Sequence, residues 1–205
     1  MVTIIDYKLG NIASIANMLS RMNIDNLITS DVDIIENANK LILPGVGAFD
    51  QGMRNLTDLG LLDVLNKHVL KHGIPILGIC LGMQLMTKKS EEGFLSGLSW
   101  FDAETVKFKP EKSNDANIKV PHMGWNEVKP ISKKELFENI YSEPRFYFVH
   151  SYHVVCNRAS DIVAMTFYGY SFTSAIAKEN IIGVQFHPEK SHKFGMTFLR
   201  NWALS

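Results

Sequence analysis

Three short stretches carry residue types that can do covalent chemistry. In ILGICLGMQL (76–85) a cysteine, Cys80, stands between two glycines where an apolar run gives way to a helix-compatible one. A chain that leaves a strand and enters a helix through a sharp turn brings the second neighbours of the turn residue together, so only small residues fit there. Gly78 and Gly82 occupy those positions. The following helix would aim its free N–H groups and positive dipole end at the sulfur, which favours a thiolate. The same pattern also fits a buried structural cysteine, since free cysteine is among the most buried residue types.

The second stretch is VQFHPEKSH (184–192). A residue before proline is driven to extended geometry, so His187 is expected to continue the strand IIGVQF, with Glu189 two residues on facing the same side. His187 could then serve Cys80 as base and the leaving amine as acid, with Glu189 orienting the imidazole. A strand-end histidine beside a solvated glutamate fits HPE taken alone. The third stretch is LPGVGAF (43–49), where the glycines around Val46 allow a peptide to turn its N–H inward. With the N–H of Leu81 it would make a pair of donors for a tetrahedral oxyanion, although a Pro-Gly turn without function fits the same residues.

These groups need a scaffold. VTIIDY (2–7), NLITS (26–30), KLILPG (40–45) and IPILGI (74–79) read as strands, interleaved with helical patterns over 11–22, 31–38 and 61–73. Asp31 is placed to cap the second helix and Gly73 to close the third. Such alternation predicts a parallel sheet with helices on both faces. Beyond about residue 95, runs at 103–108, 146–155, 161–168, 171–179 and 181–187 are strand-like with little helix between them, until a helix over 191–204. The reading is one α/β domain over 1–205, with a mainly parallel central sheet and an antiparallel extension. The polar run KPEKSNDANIK (109–119) is expected to be an exposed loop.

Composition narrows the partners. A chain of 205 residues with 46% hydrophobic content can bury a good core. Lys and Arg total 21 and so do Asp and Glu, without the basic excess expected of a nucleic-acid binder. No apolar run reaches the roughly 18 residues of a membrane span. The opening MVTIIDYKLGN has an acidic residue where a secretory signal needs its apolar centre, so a cytoplasmic location is expected. Two cysteines are too few for a disulfide framework, and Cys156, with no glycine turn or nearby base, reads as a strand core residue. His150, His153, His187 and His192 invite a metal reading, but residues three apart on a strand, as in HSYH, face opposite sides, and no metal is expected.

Taken in order along nearly the whole chain, PGVGAF, GICLGMQL and GVQFHPEKS resemble the class I, triad-type glutamine amidotransferases. Within that family, KVPHMGWNEV (119–128) and FYFVHSYHV (146–154) are similar to the HisH-type glutaminase subunits of imidazole glycerol phosphate synthase. The resemblance implies a three-layer, flavodoxin-like fold and a reaction in which Cys80 attacks the side-chain amide of L-glutamine to form a thioester. It implies that His187 and Glu189 complete a triad and that the N–H groups of Val46 and Leu81 form the oxyanion hole. Gly47, Gln84, His150, Ser151 and Tyr152 correspond to the part of the family site that holds glutamine; Gln84 lies one helical turn beyond Cys80 and can face the same pocket. Asn11 and the block Pro121, His122, Met123, Gly124, Trp125 and Asn126 match positions used against a (β/α)8-barrel cyclase of HisF type. That heterodimer uses the ammonia to make imidazole glycerol phosphate and an aminoimidazole carboxamide nucleotide in L-histidine biosynthesis, and no cofactor or metal is implied. Weak activity alone is expected, with an oxyanion hole misformed at Gly45–Val46 until the partner binds.

One departure and three alternatives accompany the resemblance. The family opening D-Y-G-x-G-N is here DYKLGN, with the long cation Lys8 where glycine is common. Related subunits that serve sugar amidation in surface polysaccharide synthesis keep the triad and PHMGWN, so a sugar-amidating synthetase is the alternative partner. A catalytically silent subunit is opposed by the intact Cys80, His187 and Glu189. A cysteine hydrolase of the superfamily's protease-like branch is opposed by HPE together with PHMGWN.

Overall fold

Short aliphatic and β-branched runs make the strands of the first half: β1 (Val2–Ile5), β2 (Asn26–Thr29), β3 (Leu41–Leu43) and β4 (Ile76–Ile79). In the computed structural model, which describes residues 1–109, 118–140 and 143–205, they lie parallel in the order β2, β1, β3, β4. Residues 110–117, most of the run read as an exposed loop, lie outside the described residues. The connections are α1 (Ile12–Arg21), α2 (Val32–Glu36), α3 (Phe49–Asp58) and α4 (Leu61–Leu65), and α5 (Leu81–Leu85) follows β4. The Asp31 carboxylate caps α2, accepting from the N–H groups of Asp33 at 2.9 Å and Ile34 at 3.1 Å.

Three elements of the first half differ from the sequence reading. The helix expected over 61–73 is α-helical only to Leu65 and then widens into a π-helix, Asn66–Lys71. The helix after Cys80 is short: α5 ends at Leu85 and the following residues form turns and bridges. A further helix, α3, buries Phe49, Met53 and Leu56, a helical spacing interrupted by Gly52.

The second half adds β5 (Ala103–Lys107), β6 (His122–Glu127), β7 (Lys129–Pro130), β8 (Arg145–His150), β9 (Tyr152–Cys156), β10 (Ile162–Tyr168), β11 (Tyr170–Lys178), β12 (Ile181–Val184) and α6 (His192–Leu204). β12 returns to the middle and runs parallel to β4, and β11, β10 and β7 extend the sheet antiparallel from it. β9 pairs with β11 and β5, while β6 and β8 form a separate antiparallel pair.

Alternate strand residues feed two cores, as strand geometry requires. Ile4, Ile42, Leu77 and Ile182 pack with α1 and α6; Ile5, Leu41, Leu43 and Ile76 pack with α3, α4 and α5. The mainly parallel sheet thus lies between two helical layers, with the antiparallel extension on its second half. Among the described residues no helix is long and apolar enough to cross a membrane. The register that pairs Leu43 with Gly78 and Ile79 with Val184 brings the carboxyl ends of β3, β4 and β12 side by side. In parallel sheets that edge is where ligands are bound.

Candidate active site

Cys80 is the first residue past β4. Its backbone is left-handed (φ 52°, ψ −107°), a conformation that costs energy for any residue with a side chain and that packing must hold in place. Its N–H donates to Val184 O at 2.7 Å, tying the turn to β12. The glycine argument holds: a Cβ on Gly82 would lie 1.9 Å from Leu43 O, and one on Gly78 would lie 2.8 Å from the backbone of Gly82 and Met83.

His187 lies beyond the end of β12, which stops at Val184, yet it stays extended (φ −102°, ψ 97°) through a bridge to β8, its N–H donating to Tyr147 O at 2.9 Å. Glu189 comes alongside because Pro188–Lys190 wind into one 3-10 turn, rather than by strand alternation. The His187 Nδ1 and Glu189 Oε1 are 2.8 Å apart, and both side chains are 1% exposed. Ser191 locks the turn, its hydroxyl donating to His187 O at 2.5 Å and accepting from Tyr147 N–H at 2.9 Å. Burial alone would lower the His187 pKa; the Cys80 sulfur and the Glu189 carboxylate flank the ring, outweigh burial and raise it to about 10.

Cys80 opens into a cleft of about 250 Å³. Its walls are Val46, Gly47, Leu81, Gln84, Glu92, Pro121, Val149, His150, Ser151 and Tyr152. All five residues matched to glutamine binding line it. Both N–H groups of the Gln84 amide are engaged, with Tyr152 O at 3.0 Å and Gln185 Oε1 at 3.1 Å, so its oxygen is what remains to offer a ligand. Sequence reasoning passed over Glu92, in the polar turn SEEGF. Its carboxylate accepts from Phe49 N–H at 2.9 Å at the start of α3 and is, among the described residues, the one acidic side chain in the cleft wall.

The two backbone donors expected beside the sulfur are not both available. Leu81 N–H donates to Gly45 O at 3.4 Å. A peptide is planar and trans, so a Gly45 carbonyl facing Leu81 turns the Val46 N–H the other way. The neighbouring Pro44 carbonyl is fixed by the Tyr7 hydroxyl at 2.5 Å, a buried phenol whose pKa burial and Cys80 push up.

Alternation along β6 divides the PHMGWN block. Met123 (61% exposed) and Trp125 (46%) face outward, and the Trp125 indole stacks on the His192 ring at 5.6 Å. His122, matched with them to the family's interface, is 3% exposed, because neighbouring strand residues face opposite sides. Its Nδ1 lies 3.0 Å from His150 Nε2, and its Nε2 lies 3.2 Å from Asn126 Nδ2. Pro121 lines the cleft, Gly124 is left-handed (φ 134°), and Asn11 precedes α1. His150 and His153 do not diverge as residues three apart on one strand would, since Ser151 separates β8 from β9 and both rings pack on Phe108 and Phe172. Even so, no group of three or more His, Cys, Asp or Glu among the described residues could hold a metal ion. Cys156 is half-buried against the second core, where burial and Asp161 push its thiol to about 12.

Comparison with known proteins agrees with this arrangement. The family described as glutamine amidotransferase class-I matches residues 3–205. The chain is 54% identical over 202 residues to imidazole glycerol phosphate synthase subunit HisH 2 of Methanococcus maripaludis, covering 98% of each. It is 48% identical over 202 residues to the subunit of the same name in Pseudomonas aeruginosa, again over 98% of each. A solved glutamine amidotransferase shares the fold with a TM-score of 0.71 at 15% identity, over 98% of this chain and 96% of that one. The chain belongs to the class I glutamine amidotransferase family, on the branch of the HisH subunits of imidazole glycerol phosphate synthase.

Proposed function

We propose that the chain hydrolyses L-glutamine at Cys80 and hands the ammonia to a (β/α)8-barrel cyclase, as the glutaminase half of a heterodimer that makes imidazole glycerol phosphate. The observation that carries the reading is the strained Cys80 at the floor of a cleft, beside a buried imidazole hydrogen-bonded to a buried carboxylate. The sulfur adds to the side-chain carbonyl carbon and the carbonyl electrons move to oxygen. The His187 cation gives its proton to the departing nitrogen, so ammonia leaves and a thioester remains. Neutral His187 then takes a proton from water, whose oxygen displaces the sulfur and releases glutamate. Glu92 is placed to receive the substrate's α-ammonium and the Gln84 oxygen to accept from its N–H groups.

In the tetrahedral steps the oxygen needs two donors, and Leu81 N–H is occupied by Gly45 O. We assign the partner the task of turning the Gly45–Val46 peptide, a change made cheap by glycines at 45 and 47. Met123 and Trp125, exposed on β6, the strand that follows Pro121 of the cleft wall, are the docking residues. A second reading, an ammonia donor to a sugar-amidating synthetase, draws on the triad and the PHMGWN block, which such subunits also keep.

The test mixes the chain with each synthase and measures ammonia release from glutamine, with a chloroketone analogue of glutamine as label. Labelling at Cys80 and release stimulated by the cyclase are expected. Stimulation by the sugar synthetase alone selects the second reading, and no release with either overturns both.

A further inference from the structure

The Cys80 sulfur has a polar neighbour that neither the triad nor the cleft wall accounts for. Gln185, fully buried between Val184 and Phe186, sets its Nε2 3.6 Å from Cys80 Sγ. The backbone determines that orientation. The Tyr152 carbonyl can only accept, so the Gln84 atom 3.0 Å from it is nitrogen. That nitrogen also donates to Gln185 at 3.1 Å, so Gln185 meets it with oxygen and turns its NH2 group to the sulfur.

The Tyr152 carbonyl is itself held. His150 Nδ1 donates to it at 2.8 Å, His122 Nδ1 donates to His150 Nε2 at 3.0 Å, and Asn126 Nδ2 donates to His122 Nε2 at 3.2 Å. The Asn126 amide is fixed at both ends, its NH2 donating to Phe167 O at 2.9 Å and its oxygen accepting from Glu127 N–H at 2.8 Å. Each histidine donates once and accepts once, as a neutral imidazole does. Burial holds both rings neutral, pushing His150 well below its usual range and His122 to about 4.

Resting on the reading of Cys80 as nucleophile, we propose that Gln185 is a positioning residue for the reaction: its amide N–H holds the charged sulfur in place, and Gln84, anchored on Tyr152, sets its direction. An amide N–H can donate to a thiolate but has no lone pair to accept from a thiol, so the contact favours the reactive form. The titratable groups around Cys80 include His187 after β12 and Tyr7 after β1, with His150 of β8, Tyr152 of β9 and Glu92 in the same cleft.

Iodoacetamide reacts with thiolate and needs no substrate site, so its rate at Cys80 across pH reads the contact directly in the whole chain. Gln185→Met keeps the size and removes the donor; alkylation at neutral pH is expected to slow about tenfold, the loss of one hydrogen bond to a charged group. Gln185→Glu can donate only when protonated and repels the thiolate once ionised, so its reactivity relative to the unaltered chain should fall as pH rises. A packing role cannot produce that trend, and the Glu variant carries the test if the Met variant does not fold. Unaltered rates and pH profile in these variants overturn the inference. Failure of the chloroketone to label Cys80 in the unaltered chain overturns the reading beneath it instead.

Discussion

The Cys80–His187–Glu189 cluster and the Gly45–Gly47 loop meet at one sulfur in different states of readiness. The cluster is over-determined: a left-handed Cys80 is held by Val184 O and by a contact that only Gly82 permits, and His187 and Glu189 are locked by Ser191 and almost completely buried. The loop is held against Leu81 by one long hydrogen bond of 3.4 Å, with glycines on both sides of Val46. Under the proposed function, the groups that move protons are built in advance, and those that stabilise the transition-state oxygen wait for the partner, which would tie ammonia release to docking.

Damage to the built side has the largest expected effect. Cys80→Ala should abolish ammonia release while leaving association with the synthase unchanged in a titration; residual turnover near the unaltered rate would break the cluster assignment. Glu189→Gln keeps the shape but removes the charge that steadies His187, and turnover should fall by about a hundredfold or more. An unchanged rate there would demote Glu189 to filler.

The buried histidine behind the cleft wall should show itself in stability against pH. His122 has a folded pKa of about 4 against an ordinary 6.5, so in that window the unfolded chain binds the extra proton and stability rises with pH. Its contribution is present above 6.5 and is lost as pH falls towards 4. Denaturant melts of His122→Phe should show a shallower loss across that window, and an identical slope would contradict the burial argument.

The smallest effect belongs to the loop side. Lys8 is left-handed (φ 68°) and exposed, in the segment whose Gly10 packs against Pro44 and Gly45. Lys8→Gly removes the strain and should raise stability by up to about 1 kcal/mol without altering Cys80 alkylation.

The built side was legible in the sequence because residue type and spacing encode it: two glycines flanking a cysteine permit one kind of turn, and HPE forces a histidine and a carboxylate into one neighbourhood. Even there the route differed, since Glu189 reaches His187 through a 3-10 turn. The withheld side was legible only as a flexible glycine loop, because residue type does not encode which way a peptide points. Gln185 and Glu92 went unread for a related reason: one follows an apolar strand and the other sits in a polar turn, and only the register of β4 with β12 and the fold of the 90–97 turn bring Gln185 to the Cys80 sulfur and Glu92 to the cleft. The strand β6 was hidden by Pro121 and Gly124, residues that locally favour loops.

The most direct test measures two rates on the same preparation, with and without the synthase: iodoacetamide alkylation of Cys80 and ammonia release from glutamine. A built triad and a withheld oxyanion hole predict alkylation unchanged by the partner and turnover raised by about a hundredfold or more, the worth of an oxyanion donor. Equal turnover alone and in complex, or alkylation that rises in step with turnover, would contradict the account.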